Sequence, residues 1–288
     1  MLPNFIIVGA PKAGTTSLYH YLSEHPEVFM SEPKEVNFFS REEIEAQGLY
    51  YADFKAKDMD AYQRLFDGVK NQHAVGEGSV SYLYYLRTAE KIKSALPDVK
   101  IIILLREPVA RAFSHYLMDL SLGLVDMSFE DIVSRKSTDK HAVLFYQQYV
   151  ELGLYYEQVK RYLDMFGKEQ VKIYLQEDLR YHSDDVILDL YDFLGVDKAY
   201  KPDTERQHNT FSMPKKNMIG NLYTSDFMRA LVRNIVPEKL KNIMKGFVFD
   251  NKPKPVLSLE SKGQLQKLYA KDMAKLEGLI ARDLSAWK

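Results

Sequence analysis

The stretch FIIVGAPKAGTTSLYHYL, residues 5–22, decides the fold of this chain. Its apolar run Phe5–Val8 ends at a glycine, as a buried parallel strand does. Small and turn-forming residues follow it. Apolar residues then recur at helical spacing, up to His25-Pro26: Leu18, Tyr21 and Leu22. The pattern predicts a strand that passes through a tight loop into a helix.

The same alternation continues along the chain. Further apolar runs predict strands at Ala74–Glu77, Ile101–Leu105 and Val171–Leu175, and helical spacing predicts helices between them over Tyr84–Leu96, from Pro108, and over Tyr155–Phe166. We therefore expect an α/β fold in one domain over residues 1–288, with a P-loop-like parallel sheet flanked by helices on both faces. The segment 201–217 lacks apolar periodicity, and its length is typical of a functional loop.

Composition narrows the class of protein. The formal net charge of −1 provides no field that would attract nucleic acid, so an anion site has to be local. There is no cysteine, which excludes disulfides and thiolate metal sites and suits a reducing compartment. No apolar run approaches the ~20 residues of a membrane span, and a first strand starting by Phe5 leaves no room for a signal peptide. We expect a soluble, cytoplasmic protein without stable membrane insertion.

The loop after the first strand has the features of an anion site. Backbone N–H groups converge where a strand turns into a helix, and the helix dipole adds to them. The residues of this loop add a lysine and three hydroxyl groups: Lys12, Ala13, Gly14, Thr15, Thr16 and Ser17. The order of the glycines and the lysine in this loop differs from that in the triphosphate-binding P-loop and in the dinucleotide-binding fingerprint. The alternative is an ordinary turn in which a Thr or Ser caps the helix.

Arg106 follows the apolar run Ile101–Leu105. Nucleotide kinases and hydrolases place a magnesium-binding aspartate at the end of the companion strand, whereas an arginine binds an anion and repels a metal. Ser114 follows two turns into the next helix. Two anion sites without an evident magnesium site suit a ribose with phosphates at its 5′ and 3′ ends. The alternative for Arg106 is a salt bridge with an acid such as Glu107.

At these motifs the sequence resembles the sulfotransferases that use 3′-phosphoadenosine 5′-phosphosulfate (PAPS), in particular the bacterial and heparan-sulfate-type branch. PKAGTTSL (Pro11–Leu18) is similar to the family's 5′-phosphosulfate loop, and LREPVARAFSHY (Leu105–Tyr116) to its 3′-phosphate motif. The likeness continues in SEPKEVNFF (Ser31–Phe39), HNTFSMPKK (His208–Lys216) and RDLSAW (Arg282–Trp287).

The resemblance implies roles by position. It places Lys12 on the oxygen that bridges phosphate and sulfate, with the loop residues 13–17 around the 5′-phosphate. It places Arg106 and Ser114 on the 3′-phosphate. Lys215 and Lys216 fall where family members close basic residues over the nucleotide, so residues 201–217 and the helices after them would form a lid. For this basic pair the alternative is a solvated surface loop.

Two residues compete for the role of the base that accepts the proton of the acceptor hydroxyl. Glu35 matches the glutamate of the heparan-type enzymes, and we prefer it; the alternative is an exposed loop carboxylate. His115 is similar to the histidine bases of the cytosolic branch, but at another place, and a packed histidine is its alternative. Lys34 either contacts the sulfate or is solvated.

Some positions depart from the heparan-type pattern. Gly78 stands in place of a lysine, Val80 in place of a proline and Asn37 in place of a histidine. These departures favour an acceptor that is smaller and less charged than heparin, with the aromatic stretches Gly48–Phe54 and Ser81–Tyr85 lining its cleft. A small molecule, lipid, carrier-bound acyl chain or carbohydrate would fit. The alternatives are a magnesium-dependent nucleotide kinase or phosphohydrolase and a non-catalytic nucleotide-binding protein.

Overall fold

A computed structural model of the protein describes residues 1–49, 54–137, 139, 141–203, 213–214, 249–250 and 255–288. Its centre is a sheet of five parallel strands in the order β2-β3-β1-β4-β5. These strands are β1 (Phe5–Gly9), β2 (Val28–Met30), β3 (Ala74–Gly78), β4 (Lys100–Leu105) and β5 (Val171–Leu175).

Helices connect and flank these strands. Those before β5 are α1 (Thr15–Ser23), α2 (Arg41–Gln47), α3 (Met59–Arg64), α4 (Thr88–Ala95), α5 (Pro108–Ser121), α6 (Phe129–Ser134), α7 (Ala142–Tyr149) and α8 (Tyr155–Phe166). Those after β5 are α9 (Gln176–Tyr181), α10 (Ser183–Leu194) and the long α11 (Leu259–Ile280). A short antiparallel pair, β6 (Met213–Pro214) and β7 (Phe249–Asp250), lies in sequence between α10 and α11, and the β6 backbone lies beside α5.

The three inner strands are covered on both faces. Successive residues of a strand point to opposite faces of its sheet. Every residue of β1 and β3 is buried, as is every residue of β4 after Lys100. Only helices packed on both faces bury a strand in this way, which explains the continuous apolar runs FIIV and IIILL. The predicted α/β fold with a flanked parallel sheet is confirmed.

The register brings the carboxyl ends of the inner strands together. Ile7 of β1 lies opposite Gly78 of β3 on one side and Ile102 of β4 on the other. Beyond β1, the N–H group of Ala10 donates to the carbonyl oxygen of Leu104 at 2.7 Å. The loops that follow β1, β3 and β4 therefore meet at one edge of the sheet, where ligands of parallel α/β proteins bind.

The long helix α11 supports that edge from outside. It packs against α5 and α8, and the Asp272 carboxylate accepts the N–H groups of Tyr155 and Tyr156 at the start of α8. The Tyr155 hydroxyl in turn donates to the carbonyl oxygen of Arg106 at 3.0 Å. The end of β4 is thus braced by two helices.

Some predicted bounds needed correction. The helix predicted over Tyr84–Leu96 begins at Thr88, because residues 79–88 form consecutive turns in which Tyr84 donates to Ser81 and Thr88 to Tyr85. The first helix ends at Ser23, just before His25-Pro26. The segment 201–217 lies mostly outside the described residues.

Candidate active site

The loop between β1 and α1 is shaped for a negatively charged group. Gly14 has φ +99°, which side chains rarely adopt, and it stands at the N-cap of α1. Helix α1 has neither a capping side chain nor an acidic residue in its first turn. Because the first N–H groups of a helix lack partners within it, this end is free to bind an anion. The alternative interpretation, an ordinary turn with a Thr or Ser at the N-cap, does not hold, because Gly14 occupies that position.

Lys12 extends from this loop into a site rich in positive charge. Its ammonium donates to the Met118 sulfur at 3.3 Å. Burial lowers the pKa of Lys12, and the charges of Arg106, Lys34 and Arg111 lower it further, against an opposite effect of Asp119. Cations close enough to weaken each other's proton affinity favour an anion between them.

Arg106 links the end of β4 to the Lys12 loop. Its guanidinium donates to the Lys12 carbonyl oxygen at 3.0 Å, and burial lowers its pKa. The alternative role of Arg106, a salt bridge with Glu107, does not occur among the described ion pairs; the Glu107 carboxylate instead accepts the N–H groups of Val109 and Ala110 and caps α5. Ser114 lies half-buried in the second turn of that helix.

Glu35 is attached to the tip of β3, the neighbour of β1. Its N–H group donates to the Gly78 carbonyl oxygen at 2.8 Å, and its carboxylate Oε2 accepts the Val80 N–H at 2.9 Å. The Lys34 ammonium donates to Oε1. The Glu35 side chain is 37% exposed, so that a substrate has access to a carboxylate that is already held in place.

A buried acid supports this loop from below. The Glu77 carboxyl group is fully buried, accepts the hydroxyls of Tyr62 and Ser79, and has its pKa raised by burial. The Ser79 oxygen also accepts the N–H of Asn37 at 2.9 Å. Glu77 therefore positions the segment that carries Glu35. In the sequence, Glu77 is distinguished only as a charged residue in a strand whose other residues are small or apolar.

His115 lies inside the protein. It is 2% exposed, its Nδ1 is 3.0 Å from the Gln148 carbonyl oxygen, and its ring packs edge-on against Tyr149. Burial and the charges of Arg111 and Lys12 hold its pKa well below the ordinary value. The imidazole is therefore neutral, with Nδ1–H donating to Gln148. This environment suits the packed histidine that was the alternative for this residue.

The remaining predictions concern an aromatic stretch, a basic pair and metal binding. Tyr82 and Tyr85 are buried at 0% and 5% exposure, so this part of the stretch Ser81–Tyr85 belongs to the core and does not line a cleft. Lys215 and Lys216 lie outside the described residues. Among the residues that the structure describes, no group of three or more His, Cys, Asp or Glu is arranged to hold a metal ion.

Fold and site together define a P-loop-like α/β protein with a cation-rich anion site at the carboxyl edge of its sheet. Comparison with known proteins makes this class specific. The profile of the sulfotransferase domain family matches residues 2–277. The chain belongs to the sulfotransferase family, as its motifs predicted.

Relatives and solved structures agree. The crystal structure of a sulfotransferase from Alicyclobacillus acidocaldarius is 35% identical, has a TM-score of 0.73, and is matched over 100% of this chain and 99% of that one. The membrane-associated sulfotransferase kil1 of Dictyostelium discoideum is 24% identical over 308 residues, which cover 77% of this chain and 63% of the relative. The human bifunctional heparan sulfate N-deacetylase/N-sulfotransferase 3 is 27% identical over 206 residues, covering 68% of this chain but 22% of the relative.

These comparisons confirm the prediction of a sulfotransferase at the level of the enzyme class, and they give no support to the kinase or non-catalytic alternatives. The chain spans less than two thirds of the length of both curated relatives. No helix in the described part of the chain is long and apolar enough to cross a membrane. The cytoplasmic location stays a prediction from composition.

Proposed function

We propose that this protein transfers the sulfuryl group of PAPS to a hydroxyl of an acceptor and releases adenosine 3′,5′-bisphosphate. One observation carries the proposal. The Glu35 carboxylate is fixed on the tip of β3, and the Lys12 loop follows β1, the adjacent strand. The Glu35 carboxylate would take the proton, and the Lys12 ammonium would stabilise the leaving oxygen. The two groups thus lie at the ends of neighbouring strands.

The loop and the strand tips suit the two ends of the nucleotide. The N-terminus of α1 and the residues 13–17 would bind the 5′-phosphate, while Arg106 and Ser114 would bind the 3′-phosphate. A thioether is a weak acceptor, so a phosphate oxygen would replace Met118 as the partner of the Lys12 ammonium. Lys215 and Lys216 follow β6, whose backbone lies beside α5, and would close over the nucleotide as part of a lid in one domain of residues 1–288.

The chemistry needs no covalent intermediate. By analogy with phosphoryl transfer, the sulfuryl group passes in line between two oxygens, and the protein positions the partners and stabilises charge. A bond forms between sulfur and the acceptor oxygen as the bond from sulfur to the bridging oxygen breaks. The electron pair stays on the phosphate beside Lys12, and the hydroxyl proton passes to Glu35.

The surroundings of Glu35 suit a catalytic base better than those of His115 do. It is accessible and its carboxylate is held by two donors, whereas the His115 imidazole is buried against a backbone carbonyl. The acceptor is a small molecule, lipid, carrier-bound chain or carbohydrate. Gly78 adds no side chain to the site, and Asn37 is occupied with Ser81, whose hydroxyl donates to its amide oxygen at 2.7 Å, which favours an acceptor of low charge.

The test combines binding with transfer. Adenosine 3′,5′-bisphosphate should raise the melting temperature far more than ADP, because only the former fills both anion sites. Incubation of cell extract with ³⁵S-labelled PAPS and the protein should then label a product that mass spectrometry identifies. Equal melting shifts with the two nucleotides, or no labelled product above a Lys12→Ala control, would contradict the proposal.

A further inference from the structure

The Lys34 side chain passes beside Gly78 at the tip of β3. A Cβ atom at position 78 would lie 3.7 Å from both Cγ and Cε of Lys34, and 3.3 Å from Cδ2 of Tyr19. The φ angle of Gly78 is not in the positive range, so its backbone does not demand glycine. The methylene chain of Lys34 therefore runs beside the strand tip, at ordinary contact distance from a Cβ atom at position 78.

The Lys34 ammonium ends inside the site. The side chain is 16% exposed, and Nζ donates to Glu35 Oε1. The Lys34 charge is also among those that lower the pKa of Lys12, so the two ammonium groups share one electrostatic environment. A mostly buried cation is costly unless it is paired. Glu35 is the partner, and it is the residue that becomes neutral when it accepts a proton.

We propose that Lys34 is a second cation of the transfer step, which binds a non-bridging oxygen of the sulfuryl group while it contacts Glu35. The inference rests on the proposed function. An ammonium has three N–H donors, so one contact with Glu35 leaves donors for the sulfuryl group. Lys34 thus joins the proton acceptor to the transferred group.

The role fits the balance of the reaction. The acceptor proton moves to Glu35, which turns from a carboxylate into a neutral acid, while Lys34 keeps all of its protons. Its charge is then no longer matched by Glu35 and interacts more strongly with the sulfuryl oxygens, just as the acceptor oxygen bonds to sulfur. Lys12 acts at the other side, on the oxygen that departs with the nucleotide.

A comparison of the binding of two nucleotides distinguishes this role of Lys34 from a structural one. PAPS carries the sulfuryl group and adenosine 3′,5′-bisphosphate lacks it, so calorimetry with both needs no acceptor. Lys34→Met keeps the packing over Gly78 but removes the charge. This variant should lower the affinity for PAPS roughly tenfold. The affinity for the bisphosphate should stay within about twofold of that of the unaltered protein. Lys160→Met, which breaks an exposed ion pair with Asp164, is the matched control and should change neither affinity.

A lysine from position 78 should replace the missing one. Lys34→Ala should lose the preference for PAPS, and Lys34→Ala/Gly78→Lys should regain it. If Lys34→Met weakens both nucleotides equally, or weakens neither, the proposal is overturned. A double variant that binds the bisphosphate normally but PAPS no better than Lys34→Ala also overturns it. If the unaltered protein binds neither nucleotide, the proposed function itself has failed.

Discussion

Arg106 donates a hydrogen bond to the carbonyl oxygen of Lys12 at 3.0 Å, and so joins the ends of two neighbouring strands. The contact orients the Lys12 loop from the side on which the 3′-phosphate is proposed to bind. Tyr155 fixes the Arg106 backbone in turn. One side chain would therefore contribute to both halves of the proposed nucleotide site, because it orients the Lys12 loop and would supply the cation for the 3′-phosphate.

Replacement of Arg106 by alanine should damage nucleotide binding in a selective way. A hydrogen bond to a charged group contributes about 1.5 to 3 kcal/mol, so the affinity for adenosine 3′,5′-bisphosphate should fall by roughly 10- to 150-fold. ADP, which has no 3′-phosphate, should lose less. Calorimetric titration with both nucleotides measures the difference. Arg64→Ala, at an exposed position of α3, is the control. Equal losses for the two nucleotides would place the 3′-phosphate elsewhere.

Much of the fold could be predicted, because long buried strands leave a clear pattern. The runs FIIV and IIILL and the segments 74–77 and 171–175 predicted four of the five strands of the sheet within one residue of their observed bounds. The edge strand Val28–Met30 was missed, since three residues are too few to show a period. The short helices α2 and α6 were missed for a related reason: their six or seven residues carry few buried side chains.

The candidate site could be proposed from the sequence as a set of residues but not as an arrangement. Lys12, Arg106 and Glu35 were named from motifs. The position of Glu35 depends on hydrogen bonds to Gly78 and Val80, which are far from it in sequence. Tertiary contacts of this kind leave no local pattern. For the same reason the sequence showed Lys34 and the unusual Gly78 separately, and only the structure shows that the Lys34 side chain passes beside Gly78.

Lys12→Ala should remove most of the turnover. An ammonium at the leaving oxygen stabilises charge that develops in the transition state, and loss of one such donor costs about 10²- to 10³-fold in kcat. The rate of adenosine 3′,5′-bisphosphate release from PAPS in the presence of the identified acceptor measures this. The exposed Lys160→Ala is the control. A Lys12→Ala enzyme with near-normal kcat would assign the leaving-group role to another residue.

Glu35→Gln should separate binding from chemistry. The amide keeps the size of the side chain and an oxygen that accepts the Val80 N–H, but it does not take up a proton. Affinity for adenosine 3′,5′-bisphosphate, which lacks the sulfuryl group, should stay unchanged, and kcat should fall by about 10²- to 10⁴-fold. If His115→Asn lowers kcat more than Glu35→Gln while nucleotide affinity is kept, the choice of base has to be reversed.

His115 should contribute to a loss of stability in acid. Burial holds its pKa in the folded state well below the ordinary value, so below about pH 6.5 the unfolded chain binds a proton that the folded protein does not. The free energy of unfolding then falls as the pH drops, by up to about 1.4 kcal/mol per pH unit from this residue. Urea unfolding of the protein and of His115→Asn between pH 5 and 8 isolates the contribution of His115, because the two proteins contain the same other histidines. The variant should be less stable at pH 8 and should lose less stability on acidification; parallel pH profiles would show that folding leaves the pKa of His115 unchanged.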